Sequence, residues 1–154
     1  MSGTADGRTT GGRPKEIEAA WALMLVAVAA YLAVWVLGSF VVEPTGLDEL
    51  TAVSGADGAA RQLALSGGVL TVALAAWLAV GVRMRAGRGW ARTVLAIAGA
   101  GSLLFVATDL GMDGLWPGAW PVLAAVPDLL TAAAVVPLYL PAAGAHFPGR
   151  SRRA

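Results

Sequence analysis

AAWALMLVAVAAYLAVWVLGSFVV, residues 19–42, runs for 24 positions without a charged side chain. A hydrocarbon core of about 30 Å is crossed by about 20 such residues at 1.5 Å each. The stretch therefore reads as a transmembrane helix. Pro14 before it suits a first helical turn, where its missing N–H is no loss, and Glu16 and Glu18 sit well against the positive helix end. The leader 1–13 is polar, Gly-rich and aperiodic, so disorder is expected there. A cleaved signal peptide does not fit. The apolar run exceeds the roughly 7–15 residues of such a core, no A-x-A site follows, and the leader carries acid.

Three further apolar stretches follow, at about 62–82, 91–110 and 121–140, the last bracketed by Pro121 and Pro141. With 57% hydrophobic and 14% charged residues in 154, the chain is far from the roughly 45–50% and about 25% of soluble domains. The expectation is one all-α domain, a four-helix transmembrane bundle over 14–141, followed by a loose tail, 142–154. Between the first two spans, Thr45 with Asp48 and Ser54 with Asp57 both fit the [ST]-x-x-[DE] capping pattern. The first predicts a short interfacial helix over 46–53, and the second opens the helix that becomes span two.

Orientation follows from the cations. Arg8, Arg13 and Lys15, then Arg83, Arg85, Arg88 and Arg92, then Arg150, Arg152 and Arg153 all fall on one side of the predicted spans, and only Arg61 on the other. The second side collects Glu43, Asp48, Glu49, Asp57, Asp109 and Asp113. Lys and Arg in short loops stay in the cytoplasm, so both termini are expected inside a bacterial plasma membrane. Trp21, Trp77, Trp90 and Tyr139 fall near the inner boundary and Trp116 and Trp120 near the outer one, where amphipathic rings settle. Tyr31 and Trp35 lie deeper and are expected to pack on neighbouring helices.

Helices in lipid associate through small residues and buried polar contacts. Ala64 with Gly68, Ala98 with Ser102, and Ala124, Asp128 and Ala132 supply such spacings, read first as packing within the bundle and second as an oligomer seam. Asp128 is the residue most out of place, roughly 12 Å along its helix from Trp120. A carboxylate at that depth costs about 2.5–3.5 kcal/mol on insertion scales and marks a functional position by default. Pro127 before it leaves the Leu123 carbonyl without its usual donor. The candidate polar site therefore comprises Asp128, with Thr71 and Ser102 at similar depth, Ser66 nearer the surface, and Arg61 reaching down as a counter-ion. The structural alternative is that Asp128 is neutral or bonded to a hydroxyl and locks the bundle.

The loop RMRAGRGWAR, 83–92, offers Arg83, Arg85, Arg88 and Arg92 to anionic lipid headgroups; a nucleic-acid role does not suit so short a loop pinned to a bilayer. Its R-x-G-R-x-W-A-R pattern, Arg85 to Arg92, resembles that of small four-span actinobacterial membrane proteins of unknown function. Pro141, Ala142, Ala143 and Phe147 resemble the end of their last helix. The resemblance implies membership and no activity.

Enzyme chemistries lack their residues. There is no cysteine for thiol or thiolate-metal chemistry and no Gly-rich phosphate loop. The single histidine, His146, lies in the tail, so neither haem ligation nor a buried serine–histidine pair is available in the spans. No cofactor is implied. Two functions remain: a non-catalytic assembly module that binds its own kind or another membrane protein, and a small oligomeric carrier or channel with Asp128 as its proton or cation site.

Overall fold

A computed structural model describes residues 15–112 and 119–140. Four α-helices follow one another: α1 (Lys15–Phe40), α2 (Gly46–Arg85), α3 (Gly89–Met112) and α4 (Ala119–Val135), the last continued by a 3-10 turn, Val136–Tyr139. All four are long and apolar enough to cross a membrane. They form a ring in which each helix touches the next and α4 closes on α1. The interfaces of α4 with α3 and with α1 are the most extensive, and that between α2 and α3 is the least. The chain is an all-α, multi-pass membrane bundle. The leader 1–13, Asp113, Trp116, His146 and the tail lie outside the described residues.

Local chemistry explains where the helices begin and end. Thr45 caps α2: the Asp48 amide donates to its Oγ1 at 3.1 Å, and the hydroxyl donates in turn to the Asp48 carboxylate. The second expected cap is not made. Ser54 donates back to the Leu50 carbonyl at 2.8 Å. The break between the short first segment and the span comes instead at Gly55, with φ 73° and ψ 170°. A Cβ is disfavoured at that positive φ, so glycine, one residue after the expected cap, takes the turn. In α4, Pro121 sits in the first turn where its missing N–H is harmless. Pro137 stands inside the stretch expected to stay helical to 140, and the chain there tightens to 3-10 after Val135.

The best-packed region lies at the end carrying Lys15, Arg85, Gly89 and Tyr139, hereafter the basic end. Ile17, Met24, Met84, Leu95 and Leu138 are buried there, flanked by Trp21 and Trp77. Glycine allows two of the closest helix approaches. A Cβ on Gly81 would lie 2.6 Å from the Trp21 ring and 2.7 Å from Met24, so α2 seats on α1 at that point. A Cβ on Gly99 would lie 2.6 Å from Val135 and 3.4 Å from the Ala132 backbone, which fixes α3 on α4. The outward surface is apolar, with Leu32, Val69, Val72, Leu104 and Phe105 all exposed. In water such a surface would demand a partner; against lipid chains it costs nothing.

Candidate intramembrane polar site

Asp128 stands on α4 directly after Pro127, half-buried, and faces α1. The Tyr31 hydroxyl donates to its Oδ1 at 2.6 Å, a contact between residues 97 apart in the chain. One turn further along α4, Thr131 is buried and donates to the Pro127 carbonyl at 2.9 Å. Ser102 approaches the Tyr31 phenol from α3, so Ser102 and Asp128 do share one neighbourhood through Tyr31.

Next to this cluster lies a cavity of about 250 Å³. Leu70, Ala73, Leu74 and Trp77 of α2 form one wall, Ala98 and Ser102 of α3 the other, and Tyr31 and Thr131 the floor. It is partly open, and it lies between α2 and α3, the two neighbours that touch least.

The other expected members are elsewhere. Thr71 is exposed on α2 and donates to its own Gly67 carbonyl at 2.8 Å; Ser66 is exposed and donates to the Leu63 carbonyl at 3.0 Å. Both satisfy their hydroxyls within the helix, as Ser and Thr do in apolar surroundings. Arg61 is exposed at the opposite, acidic end, as is Asp109. The small pair Ala64 and Gly68 also faces outward, and the space beside Gly68 is open.

The four arginines of the loop divide into two kinds. Arg85 Nη2 donates to both Glu18 oxygens, at 2.9 and 3.1 Å, and its guanidinium lies 5.2 Å from the Trp21 ring centre. Arg92 lies 4.0 Å over the Tyr139 ring. These two tie helices together. Arg83 and Arg88 are exposed and face the surroundings.

Tyr31 is the residue that sequence reasoning left out of the site. A signal existed in depth. At 1.5 Å per residue, Tyr31 lies about 20 Å along α1 from Glu18, and Asp128 about 16 Å along the last helix from Tyr139. Two groups that each need a hydrogen-bond partner in lipid thus stand at similar depth. Chemically the pair can hold or exchange a proton. No three His, Cys, Asp or Glu side chains converge among the described residues.

Fold and site together define a multi-pass membrane protein with a cross-bundle polar contact, Tyr31 to Asp128, beside an apolar cavity. Comparison with protein-family models, with curated proteins and with solved structures finds no match to this chain.

Proposed function

We propose that the chain is a non-catalytic assembly module of a bacterial plasma membrane, with both termini cytoplasmic, which self-associates through the outer face of α2. The observation that carries this is a shallow apolar groove of about 560 Å³ along Ala64, Leu65, Gly68, Val69, Val72 and Ala73. Small residues four apart let a second helix approach closely, and here Ala64 and Gly68 are not used inside the bundle. The concentration of cations at one end supports the orientation. The arginine-tryptophan loop supports membership of the small four-span actinobacterial proteins it resembles. Asp128, bonded to Tyr31, acts in this reading as a lock between α1 and α4.

The chain contains no cysteine, so single-cysteine crosslinking has no background. Gly68→Cys and Val72→Cys should give an oxidised dimer in membranes, well above Leu104→Cys on the exposed face of α3. Equal crosslinking at all three positions would remove the seam.

A second reading has its own support. Tyr31 both bonds Asp128 and lines the 250 Å³ cavity, so a proton on the carboxyl is one hydroxyl away from that space. In this reading the oligomer is a small carrier or channel. Asp128→Asn should then abolish a pH-dependent flux in proteoliposomes while expression is kept; an unchanged flux would leave only the lock.

A further inference from the structure

The cavity and the exposed arginines belong to the same pair of helices. The cavity walls come from α2 and α3, and the segment 86–88 that joins those helices carries Arg88, with Arg83 one turn back on α2 and Trp90 half-exposed at the start of α3. We infer that the α2–α3 cleft is a binding site for one anionic phospholipid, with its phosphate on Arg88, Arg83 reaching round from the adjoining outer face of α2, and one acyl chain in the cavity.

Depth is the first argument. The cavity residues Leu70 to Trp77 precede Arg83 by 6 to 13 positions. At 1.5 Å per residue they lie about 9–20 Å from it along the helix. One leaflet of a hydrocarbon core of about 30 Å is about 15 Å deep. A chain whose headgroup rests at the loop therefore ends where the cavity opens. Chemistry is the second. The floor residues Tyr31 and Thr131 direct their hydroxyls to Asp128 and to the Pro127 carbonyl, so the space is left almost wholly apolar. A cavity of that kind stays dry and accepts hydrocarbon; cavities of about 150 Å³ already hold a benzene. Charge is the third. Arg85 and Arg92 are engaged with Glu18 and Tyr139, whereas Arg83 and Arg88 face outward at headgroup level.

The site needs only that the chain span a bilayer. Its cavity lies on a different face of α2 from the proposed self-association groove, with Ala73 at the shared edge and Arg83, eleven positions after Val72, on the groove's side. Crosslinking at Gly68 and lipid binding can therefore fail separately.

The test uses the full chain extracted from bilayers of equal phosphatidylglycerol and phosphatidylcholine, with retained lipid counted by native mass spectrometry. One phosphatidylglycerol per chain is expected, preferred about 30-fold, the equivalent of about 1 kcal/mol for each of two arginines. Arg83→Gln with Arg88→Gln should remove that preference. Ala98→Phe and, from the other wall, Ala73→Phe should lower retention with both arginines in place. Inorganic phosphate at millimolar concentration should not displace the lipid. Phosphatidylglycerol brominated on the distal half of its chain should quench Trp77, measured as the quenching lost in Trp77→Phe. Equal retention of both lipids, retention unaffected by either cleft-filling variant, or quenching unchanged in Trp77→Phe would each overturn the site.

Discussion

Removing the Tyr31 hydroxyl tests a side-chain hydrogen bond that joins α1 to α4. Tyr31→Phe keeps the ring against its neighbours and leaves the Asp128 carboxyl without its 2.6 Å donor. An unmet polar group in a medium that forms no hydrogen bonds costs about 4–8 kcal/mol on transfer scales. That figure is an upper bound, because Ser102 and Thr131 stand close enough to adjust. Double-mutant cycles on membrane hydrogen bonds average about 0.6 and reach about 1.7 kcal/mol. A short bond placed inside one of the two largest interfaces belongs near the top of that range, about 1.5 kcal/mol. The cycle pairs Tyr31→Phe with Asp128→Ala. Each single variant should lose about that amount in reversible unfolding in mixed micelles, and the double variant should lose little more than either. Asp128→Asn retains an acceptor for Tyr31 and should cost much less than Asp128→Ala. Additive losses, with a coupling below about 0.3 kcal/mol, would show that the two side chains act independently and refute the lock.

Three further outcomes follow from the packing. Gly99→Leu forces side-chain atoms into Val135 and the Ala132 backbone and should destabilise by about 1–3 kcal/mol, whereas Gly101→Ala, with open space around it, should gain up to about 1 kcal/mol from helix propensity; thermal unfolding in detergent compares them. Arg85→Lys should not restore what Arg85→Gln loses, because the two-oxygen contact with Glu18 and the approach to Trp21 both need the planar guanidinium; with Glu18 partly exposed, the expected loss is about 1 kcal/mol, reduced by salt in the same melts. In right-side-out vesicles, an impermeant maleimide should label Thr51→Cys on the exposed start of α2 and spare Arg88→Cys, and the reverse pattern would invert the proposed orientation.

The number of long apolar helices was legible because apolar length is a direct measure of bilayer thickness. The Thr45 cap was legible too, whereas the Gly55 break was read one residue early, at Ser54, since the capping pattern records chemistry and not φ. What could not be read was direction around each helix. In a soluble protein an apolar stripe marks the buried face; here the helices are apolar on every side, and that signal vanishes. Thr71 and Ser102 were therefore grouped by depth alone, and the structure turns the first outward and the second toward Tyr31. The same blindness hid Tyr31, whose depth matched Asp128 but whose facing direction had no trace in the sequence.

Where the helices are fastened explains where the bundle opens. Gly67 of α2 lies beneath Trp35 and Gly81 beneath Trp21, so both bring α2 to α1. Glu18 with Arg85 strengthens the same interface. Gly99 brings α3 to α4, and Tyr31 with Asp128 joins α1 to α4. None of these contacts joins α2 to α3. At the basic end Met84 of α2 and Ala91 and Leu95 of α3 share one buried cluster, and the connection that carries Arg88 joins the two helices there. Without a hydrophobic driving force between helices in lipid, an interface that none of these contacts fastens has little to keep it closed. The cleft thus follows from the placement of the contacts, and a chain from the surrounding leaflet is the material nearest to fill it.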